Sequence, residues 1–386
     1  MTTSPASLRL AFTAAMFGMA GSMLFQTLLA TALPQITREL GDVELYPWVM
    51  GGYLAASTVV IPFAGPIADR LGPRPVHVAG TTVFLIGAGL AAVAPSMAAL
   101  VAARTLQGLA AGAIVPAAMG VLGMMPDDRA RGRAFGTFGA VGVVATLVGP
   151  LIGGWFADGP GWRWGILVSS STIAVGLVLA VIGMPKAPER PPRWWRVRVA
   201  DSLAPASRPE LRPLLIAATL VGAMTMSATT YLPLALAILH GLSSTATGTF
   251  LLPMLVATAL GSAVGGRLVT RPAAAWAPWI VPLVGLPIAL ANTPAALSAA
   301  GVLMGLAMGS ALPNLLTRVQ GLSAPDQRAA TGSLVQLARN LGGAVSVPVL
   351  GLWVTTGLPT ATGFVALTTS LWLVSLAGLV ISWRAR

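Results

Sequence analysis

Long apolar stretches, separated by short charged segments, run through this sequence from one end to the other. Some gaps between charged residues have room for one membrane-crossing helix of about 20 residues, and others have room for two. Six gaps of the first kind run from Arg9 to Arg38, Glu44 to Asp69, Arg74 to Arg104, Arg104 to Asp127, Arg133 to Asp158 and Arg163 to Lys186. Three gaps of the second kind run from Arg212 to Arg267, Arg271 to Arg318 and Arg339 to Arg384. Because a backbone in lipid must satisfy its own hydrogen bonds, the pattern predicts an all-α polytopic membrane protein with twelve transmembrane helices.

The composition agrees with a membrane protein. Hydrophobic residues make up 55% of the 386 residues and charged residues only 9%, whereas soluble domains carry about 25% charged residues. The absence of cysteine excludes disulfide bonds and thiolate metal sites. The first apolar stretch is long enough to cross the bilayer, so we interpret it as helix 1 and not as a removed signal peptide. The shortest predicted span, 275–291, contains three prolines.

The basic residues are distributed unevenly between the two sides of the predicted helices. If the N-terminus is cytoplasmic, the outer segments hold only Arg38 and Arg163. The inner segments hold the 186–212 stretch and Arg9, Arg70, Arg74, Arg129, Arg131, Arg133, Arg267, Arg271, Arg318, Arg328, Arg384 and Arg386. This is the positive-inside pattern, and it explains the net charge of +12 without a nucleic-acid partner. We expect a multi-pass protein of the bacterial inner (cell) membrane, surrounded by lipids, with both termini cytoplasmic.

One long polar connector divides the predicted helices into two sets of six. Its position predicts an N-terminal six-helix bundle at 1–185, a cytoplasmic connector at 186–212 and a C-terminal six-helix bundle at 213–386. The connector contains the sequence RWWRVR. One interpretation of the connector is that its tryptophans lie among lipid headgroups and its arginines bind anionic lipid. The alternative is that the connector is a basic linker that obeys the positive-inside rule.

The two sets of helices carry an internal repeat with an offset of 197 residues. The segment LQGLAAGAIVPAAM from Leu106 aligns with LMGLAMGSALPNLL from Leu303. The same offset recurs at basic residues that follow helices 2 and 8 and at basic residues that precede helices 5 and 11. The aligned pairs are Gly108 with Gly305, Gly112 with Gly309, Pro116 with Pro313, Arg70 with Arg267, Arg74 with Arg271, and Arg131 with Arg328. A parallel repeat of this kind favours a transport site between pseudo-symmetric halves.

Several motifs identify a family. GPIADRLGPR, residues 65–74, resembles the signature between helices 2 and 3 of the major facilitator superfamily. RTLQGLAAGA from Arg104 resembles the helix 4 motif of that superfamily, and GPLIGG at 149–154 resembles the helix 5 motif of its proton-driven exporters. The resemblance implies gating roles for Gly65, Asp69, Arg70, Gly72, Arg74, Gly149, Pro150, Gly153 and Gly154. The alternatives are a charge cluster that sets topology and ordinary close packing of helices.

Three further segments resemble the multidrug branch of drug:proton antiporters. They are TLLATALPQI from Thr27, YPWVMGGYLAAS from Tyr46 and RAATGSLVQLARNLGGA from Arg328. That branch commonly has fourteen helices instead of twelve. It also often carries an aspartate at the position of Phe25, and this departure disfavours a cationic substrate.

Two arginines lie inside predicted spans, where a charge is costly and is expected to face the interior of the bundle or a wet cavity. Gln107 follows Arg104 by three residues, and Gln336 precedes Arg339 by three, so each pair shares a helix face. No Asp or Glu falls inside a predicted span, which favours an anionic or neutral polar substrate. We therefore predict a substrate site formed by Gln26, Arg104, Gln107, Tyr231, Asn314, Gln336 and Arg339. The alternative is that both arginines bind carbonyl groups of kinked helices.

These features predict a secondary transporter that works by alternating access. The leading hypothesis is export of a small amphipathic or anionic compound by proton antiport. The alternative is a facilitator or proton symporter that imports a small polar solute. No P-loop, His-Glu-x-x-His or Gly-x-Ser-x-Gly motif is present, so an enzyme is not expected. We expect a monomer without cofactor or metal, since the two histidines are far apart in sequence.

Overall fold

A computed structural model describes residues 5–123, 128–184, 204–268, 277–322, 328–355 and 361–384. Within these ranges the chain forms twelve α-helices, as the spacing of charged residues predicts. The first six are α1 (Pro5–Leu40), α2 (Tyr46–Leu71), α3 (Pro73–Ala92), α4 (Met97–Gly123), α5 (Asp128–Asp158) and α6 (Trp162–Gly183). The second six are α7 (Arg212–Leu239), α8 (Ser244–Leu268), α9 (Ala277–Ala289), α10 (Pro294–Gly321), α11 (Arg328–Thr355) and α12 (Ala361–Arg384). Short 3₁₀ turns lie at Val43–Leu45 and Ala204–Ser207.

Most of these helices are built to cross a bilayer. Ten of those that the structure describes have the length and apolar composition for it. The span predicted at 275–291 contains the described helix α9, which has only 13 residues and includes Pro282 and Pro287. Each proline removes one backbone hydrogen bond from the helix. The helix α7 begins at Arg212, the last residue of the predicted connector. Residues 186–203 of that connector, with RWWRVR, lie outside the described part.

The internal repeat appears as an equivalent helix contact in each half. On α4, Gly108 and Gly112 lie against the backbone of α2 at Tyr53 and Ser57. On α10, Gly305 and Gly309 lie against the backbone of α8 at Met254 and Thr258. The α2 and α8 residues in these contacts differ by 201 positions, one helical turn more than the 197 of the sequence alignment. In both halves only a glycine leaves room, because a Cβ atom would overlap a carbonyl group.

The turn between α2 and α3 depends on one glycine. Gly72 has a φ of 82° and separates Leu71, the last residue of α2, from Pro73, the first of α3. Glycine adopts this conformation without steric cost. Arg74 donates from Nη2 to the carbonyl of Val181 in α6 at 2.5 Å, which ties the start of α3 to α6. The side chains of Gly65, Asp69 and Arg70 lie outside the described residues, so their predicted gating roles remain predictions.

Candidate functional site

Arg104 lies on the third turn of α4 and is completely buried, in contact with side chains of α1 and α2. Its guanidinium carbon is 4.2 Å from the centre of the Tyr53 ring and 5.4 Å from the centre of the Phe25 ring. Phe25 in turn packs edge-on against Phe84, with 5.4 Å between the ring centres. Aromatic faces attract a cation, and more strongly where water is excluded. The charge is therefore held against two aromatic rings, and no pattern in the sequence predicts these contacts.

Only part of the hydrogen-bonding capacity of Arg104 is used. Its Nη1 donates to Oε1 of Gln107 at 2.8 Å, so the two residues share a helix face as their spacing predicts. Nε and Nη2 of Arg104 and Nε2 of Gln107 are buried and have no hydrogen-bond partner among the described residues. Buried donors without acceptors are costly. The arrangement suits an anionic or polar oxygen that approaches this group of N–H donors.

The second predicted arginine pair has a different geometry. Gln336 donates to Asn340 Oδ1 at 3.0 Å, one turn further along α11, and no bond to Arg339 is found in the described part of the chain. Nε of Arg339 is buried without a partner, and the backbone of Arg339 lies against Gly222 of α7. Asn340 joins the candidate polar residues of this half, although a single asparagine carried no signal in the sequence.

The remaining predicted residues are spread over the molecule. Gln26 is half-buried in α1, and Tyr231 is buried in α7 and donates to the carbonyl of Val347 in α11. Asn314 donates to Ser310 at 2.6 Å and lines a small recess near Arg318, between α7, α9, α10 and α12. Of the seven predicted substrate residues, the structure brings Arg104 and Gln107 into contact.

Two pairs of helices join the halves near one end of the bundle, called here the α1–α2 end because it carries the α1–α2 connection. On the α5–α8 side, a Cβ atom on Gly154 would lie 2.6 Å from the Ser244 carbonyl oxygen, and one on Gly248 would lie 2.5 Å from that of Pro150. On the α2–α11 side, Gly51 packs against Pro348, and Gly351 packs against Pro47. The halves are therefore closed against each other at the α1–α2 end.

A carboxylate and a tyrosine pair reinforce this closure. Asp158, the last residue of α5, accepts hydrogen bonds from the backbone N–H groups of Ser244 and Thr245, at 2.9 and 2.7 Å. An acid at a helix N-terminus satisfies free N–H groups and the helix dipole. Tyr46 of α2 donates to the Thr230 carbonyl in α7 at 3.0 Å and stacks on Tyr231.

The other glycines of the predicted helix 5 motif face a different helix. Gly149 and Gly153 lie against Thr27 and Leu28 of α1, within the first half. Gly154 therefore contributes to the contact between halves, whereas its two neighbours hold α5 close to α1. Pro150, for which a gating role is predicted, thus lies between two tightly packed surfaces.

We expect Asp158→Ala to weaken the closed arrangement by about 1 kcal/mol, because both backbone N–H groups of α8 lose their acceptor. The chain has no cysteine, so a single Thr31→Cys reports opening: Thr31 is buried and lies 3.4 Å from the position of a Cβ atom on Gly248. Maleimide labelling of this cysteine should become faster in Asp158→Ala and change less in Asp158→Asn, which keeps an acceptor oxygen. Equal labelling rates in all three backgrounds would contradict a role for Asp158 in closure.

Comparisons with known proteins agree with this architecture. A sequence model of the Major Facilitator Superfamily matches residues 15–291. The multidrug transporter protein MdtP of Bacillus subtilis is 36% identical over 160 residues, which is 42% of this chain and 29% of that protein. Efflux pump FUS6 of Gibberella fujikuroi is 35% identical over 166 residues, which is 43% of this chain and 30% of that protein. The chain spans less than half the length of the curated relatives it matches.

A solved structure resembles the whole described fold. A bacterial homolog of the human lysosomal transporter Spinster, in an inward-facing and occupied conformation, has a TM-score of 0.78 and 16% identity, over 100% of this chain and 96% of that chain. At this identity the similarity concerns the fold alone. It matches the arrangement of two six-helix pseudo-symmetric bundles that the sequence predicts.

Proposed function

Because this chain belongs to the major facilitator superfamily, a family of membrane transporters and not of enzymes, we propose that it exports a small amphipathic or anionic compound by proton antiport. Membership makes it a multi-pass integral membrane protein and a secondary transporter of small molecules. What we propose beyond family membership is the direction of transport, the coupling ion and the class of compound that is transported.

The buried donors around Arg104 carry the proposal for the substrate. The guanidinium is completely buried, and a buried charge without a counter-ion is costly in a membrane protein. The acidic residues that the structure describes all lie at helix ends or in connections. An anionic or strongly polar oxygen is therefore the group that best complements Arg104 and Gln107. A lipophilic cation would find no carboxylate in the middle of any helix that the structure describes.

The closure at the α1–α2 end supports alternating access as the mechanism. The proposal places this end outside, because the connections there carry Arg38 and Arg163 and the opposite connections carry most basic residues. A monomer in a bacterial cell membrane, with cytoplasmic termini and bundles at 1–185 and 213–386, is part of the same proposal. Rocking of the bundles would then open the two sides in turn.

The gating roles also belong to the proposal. Gly72 supplies the left-handed turn between α2 and α3, while Gly154 lies in the contact that must separate when the outer side opens. We assign Gly65, Asp69, Arg70 and Arg74 to the opposite, inner side. The assignment rests on the family motif.

Export is supported by the names of the relatives, a multidrug transporter and an efflux pump. It can be tested in proteoliposomes with a pH-insensitive probe, chosen from anionic, zwitterionic and cationic dyes by the largest increase in unfolding temperature. We expect an anionic dye to be selected, and an acidic exterior to accelerate its efflux. Acceleration by an acidic interior would favour a symporter, and no effect of the gradient would favour a facilitator.

A further inference from the structure

A cavity of about 260 Å³ lies inside the second half of the molecule, away from the Arg104 site. Its described lining comes from α7, from α9 and the residues that follow it, from α10 and from α12, without a contribution from α1–α6. Transport sites of this fold lie between the halves, so this cavity is a separate feature, although Tyr231, one of the predicted substrate residues, belongs to its lining. It occupies the part of the half near the α1–α2 end, since Leu239 and Leu297 belong to its lining.

The lining is aliphatic and aromatic. Its large side chains include Leu232, Leu286, Leu297, Met304, Phe364 and Leu371. Its hydroxyl groups are already bonded within the protein: Ser346 donates to the Ala223 carbonyl at 3.1 Å, which leaves Ser227 as the donor to Ser346, also at 3.1 Å. Thr368 donates to the Phe364 carbonyl at 2.8 Å, and Tyr231 to that of Val347.

The cavity reaches the apolar outer surface of the bundle. Leu290, just after α9, and Val365, near the start of α12, both line it, and their side chains are 50% and 47% exposed. The helix beside this opening, α9, is short in the described structure. Asn292, exposed and with a φ of 47°, adds a polar group at the rim. The cavity therefore has an apolar mouth at Leu290 and Val365, with a polar group beside it near the end of the bundle.

We propose that this cavity binds a single alkyl chain that enters from the bilayer, with the polar end of the molecule at the Asn292 rim. Apolar cavities of about 150 Å³ stay dry and bind benzene, so one of this size has room for a longer apolar group. It is smaller than most pockets for drug-sized ligands, which are about 300–1,000 Å³, and it does not fit a whole lipid. Filling it restores dispersion contacts that the lining otherwise lacks.

Two sources can supply such a chain, a membrane lipid or a single-chain amphiphile, and the test separates them. The full-length protein is reconstituted in liposomes with either a diacyl phospholipid that carries a diazirine in one chain or a dodecyl amphiphile that carries the same group. After irradiation, labelled residues are mapped by peptide mass spectrometry. We expect saturable labelling of residues 286–301 and 364–371, competed by unlabelled dodecyl amphiphile.

The pattern identifies the occupant. Labelling by the phospholipid alone assigns a bound membrane lipid, and labelling by the dodecyl probe alone assigns a single-chain amphiphile. Labelling by both assigns a site for alkyl chains in general. Labelling that rises linearly with the concentration of both the phospholipid probe and the dodecyl probe, as on any lipid-facing surface, would overturn the proposal.

A matched pair of variants tests the cavity itself. Ala300 is buried in the lining, and its neighbour Ala299 is exposed. Ala300→Phe should remove the saturable labelling because the ring fills the space, while Ala299→Phe should keep it. Saturable labelling that persists in correctly folded Ala300→Phe would contradict the inference. If this variant misfolds, competition by unlabelled dodecyl amphiphile in the unmodified protein still tests the inference, because that experiment needs no substitution.

Discussion

Replacing Arg104 with alanine is expected to abolish transport of the selected anionic dye while membrane insertion stays normal. Arg104 is buried, it lies against Tyr53 and Phe25, and its Nε and Nη2 lack acceptors in the described structure. A hydrogen bond to a charged group contributes about 1.5–3 kcal/mol, roughly a ten- to hundred-fold change in affinity. Counterflow in proteoliposomes with equal amounts of reconstituted protein measures the loss.

Two controls separate substrate binding from a structural role. Arg38→Ala removes an exposed arginine at the end of α1 and should transport normally. Phe25→Asp and Phe25→Asn both remove the ring that touches Arg104, but only the aspartate supplies an internal anion for the guanidinium. We expect Phe25→Asp to impair dye transport more than Phe25→Asn. Normal transport by Arg104→Ala would show that the arginine serves the helix packing alone.

The architecture could be predicted from the sequence because the spans, the charge bias and the repeat are patterns along the chain. They can be recognised without knowing which helices contact each other. The spacing of charged residues gives twelve helices, and the described chain has them. The Arg104–Gln107 bond was also predictable, since both residues lie on one helix. The pairing of Gln336 with Asn340 was not, because i, i+3 and i, i+4 spacings are both allowed on a helix face and rotamers decide between them.

Features that depend on contacts between helices could not be predicted in the same way. Tyr53 appears in the sequence as one more apolar residue of helix 2, and only packing brings its ring over the Arg104 guanidinium. Similarly, Asp158 marks a helix end in the sequence, while its bonds to Ser244 and Thr245 join α5 to α8 of the other half. The register of α2 against α4 differs by one turn from that of α8 against α10, since helix packing tolerates a shift that preserves the small residues.

Gly248→Leu is expected to stop transport by preventing closure at the α1–α2 end. A Cβ atom at Gly248 would lie 2.5 Å from the Pro150 carbonyl oxygen and 3.4 Å from Thr31, so a leucine has no space unless α5 and α8 separate. Overpacking costs about 1–3 kcal/mol, and occasionally more. The Pro150 carbonyl oxygen is a backbone atom and cannot move aside like the end of a flexible side chain. We therefore expect Gly248→Leu to destabilise the closed arrangement by an amount at the upper end of that range.

The expected result is a protein held open at that end, which binds from one side but cannot complete the cycle. In the Thr31→Cys background, labelling by a membrane-impermeant maleimide should become faster than in the parent, while counterflow disappears. Gly89→Leu makes the same substitution in α3, where a Cβ atom meets no other atom within 4 Å, and it should leave both measurements unchanged. Unaltered labelling together with active counterflow in Gly248→Leu would mean that the halves need not meet at Gly248 during transport. Gly248→Ala places one methyl group at the same contact and requires a smaller separation of α5 and α8. Its labelling rate and its counterflow should therefore be intermediate between those of the parent and of Gly248→Leu.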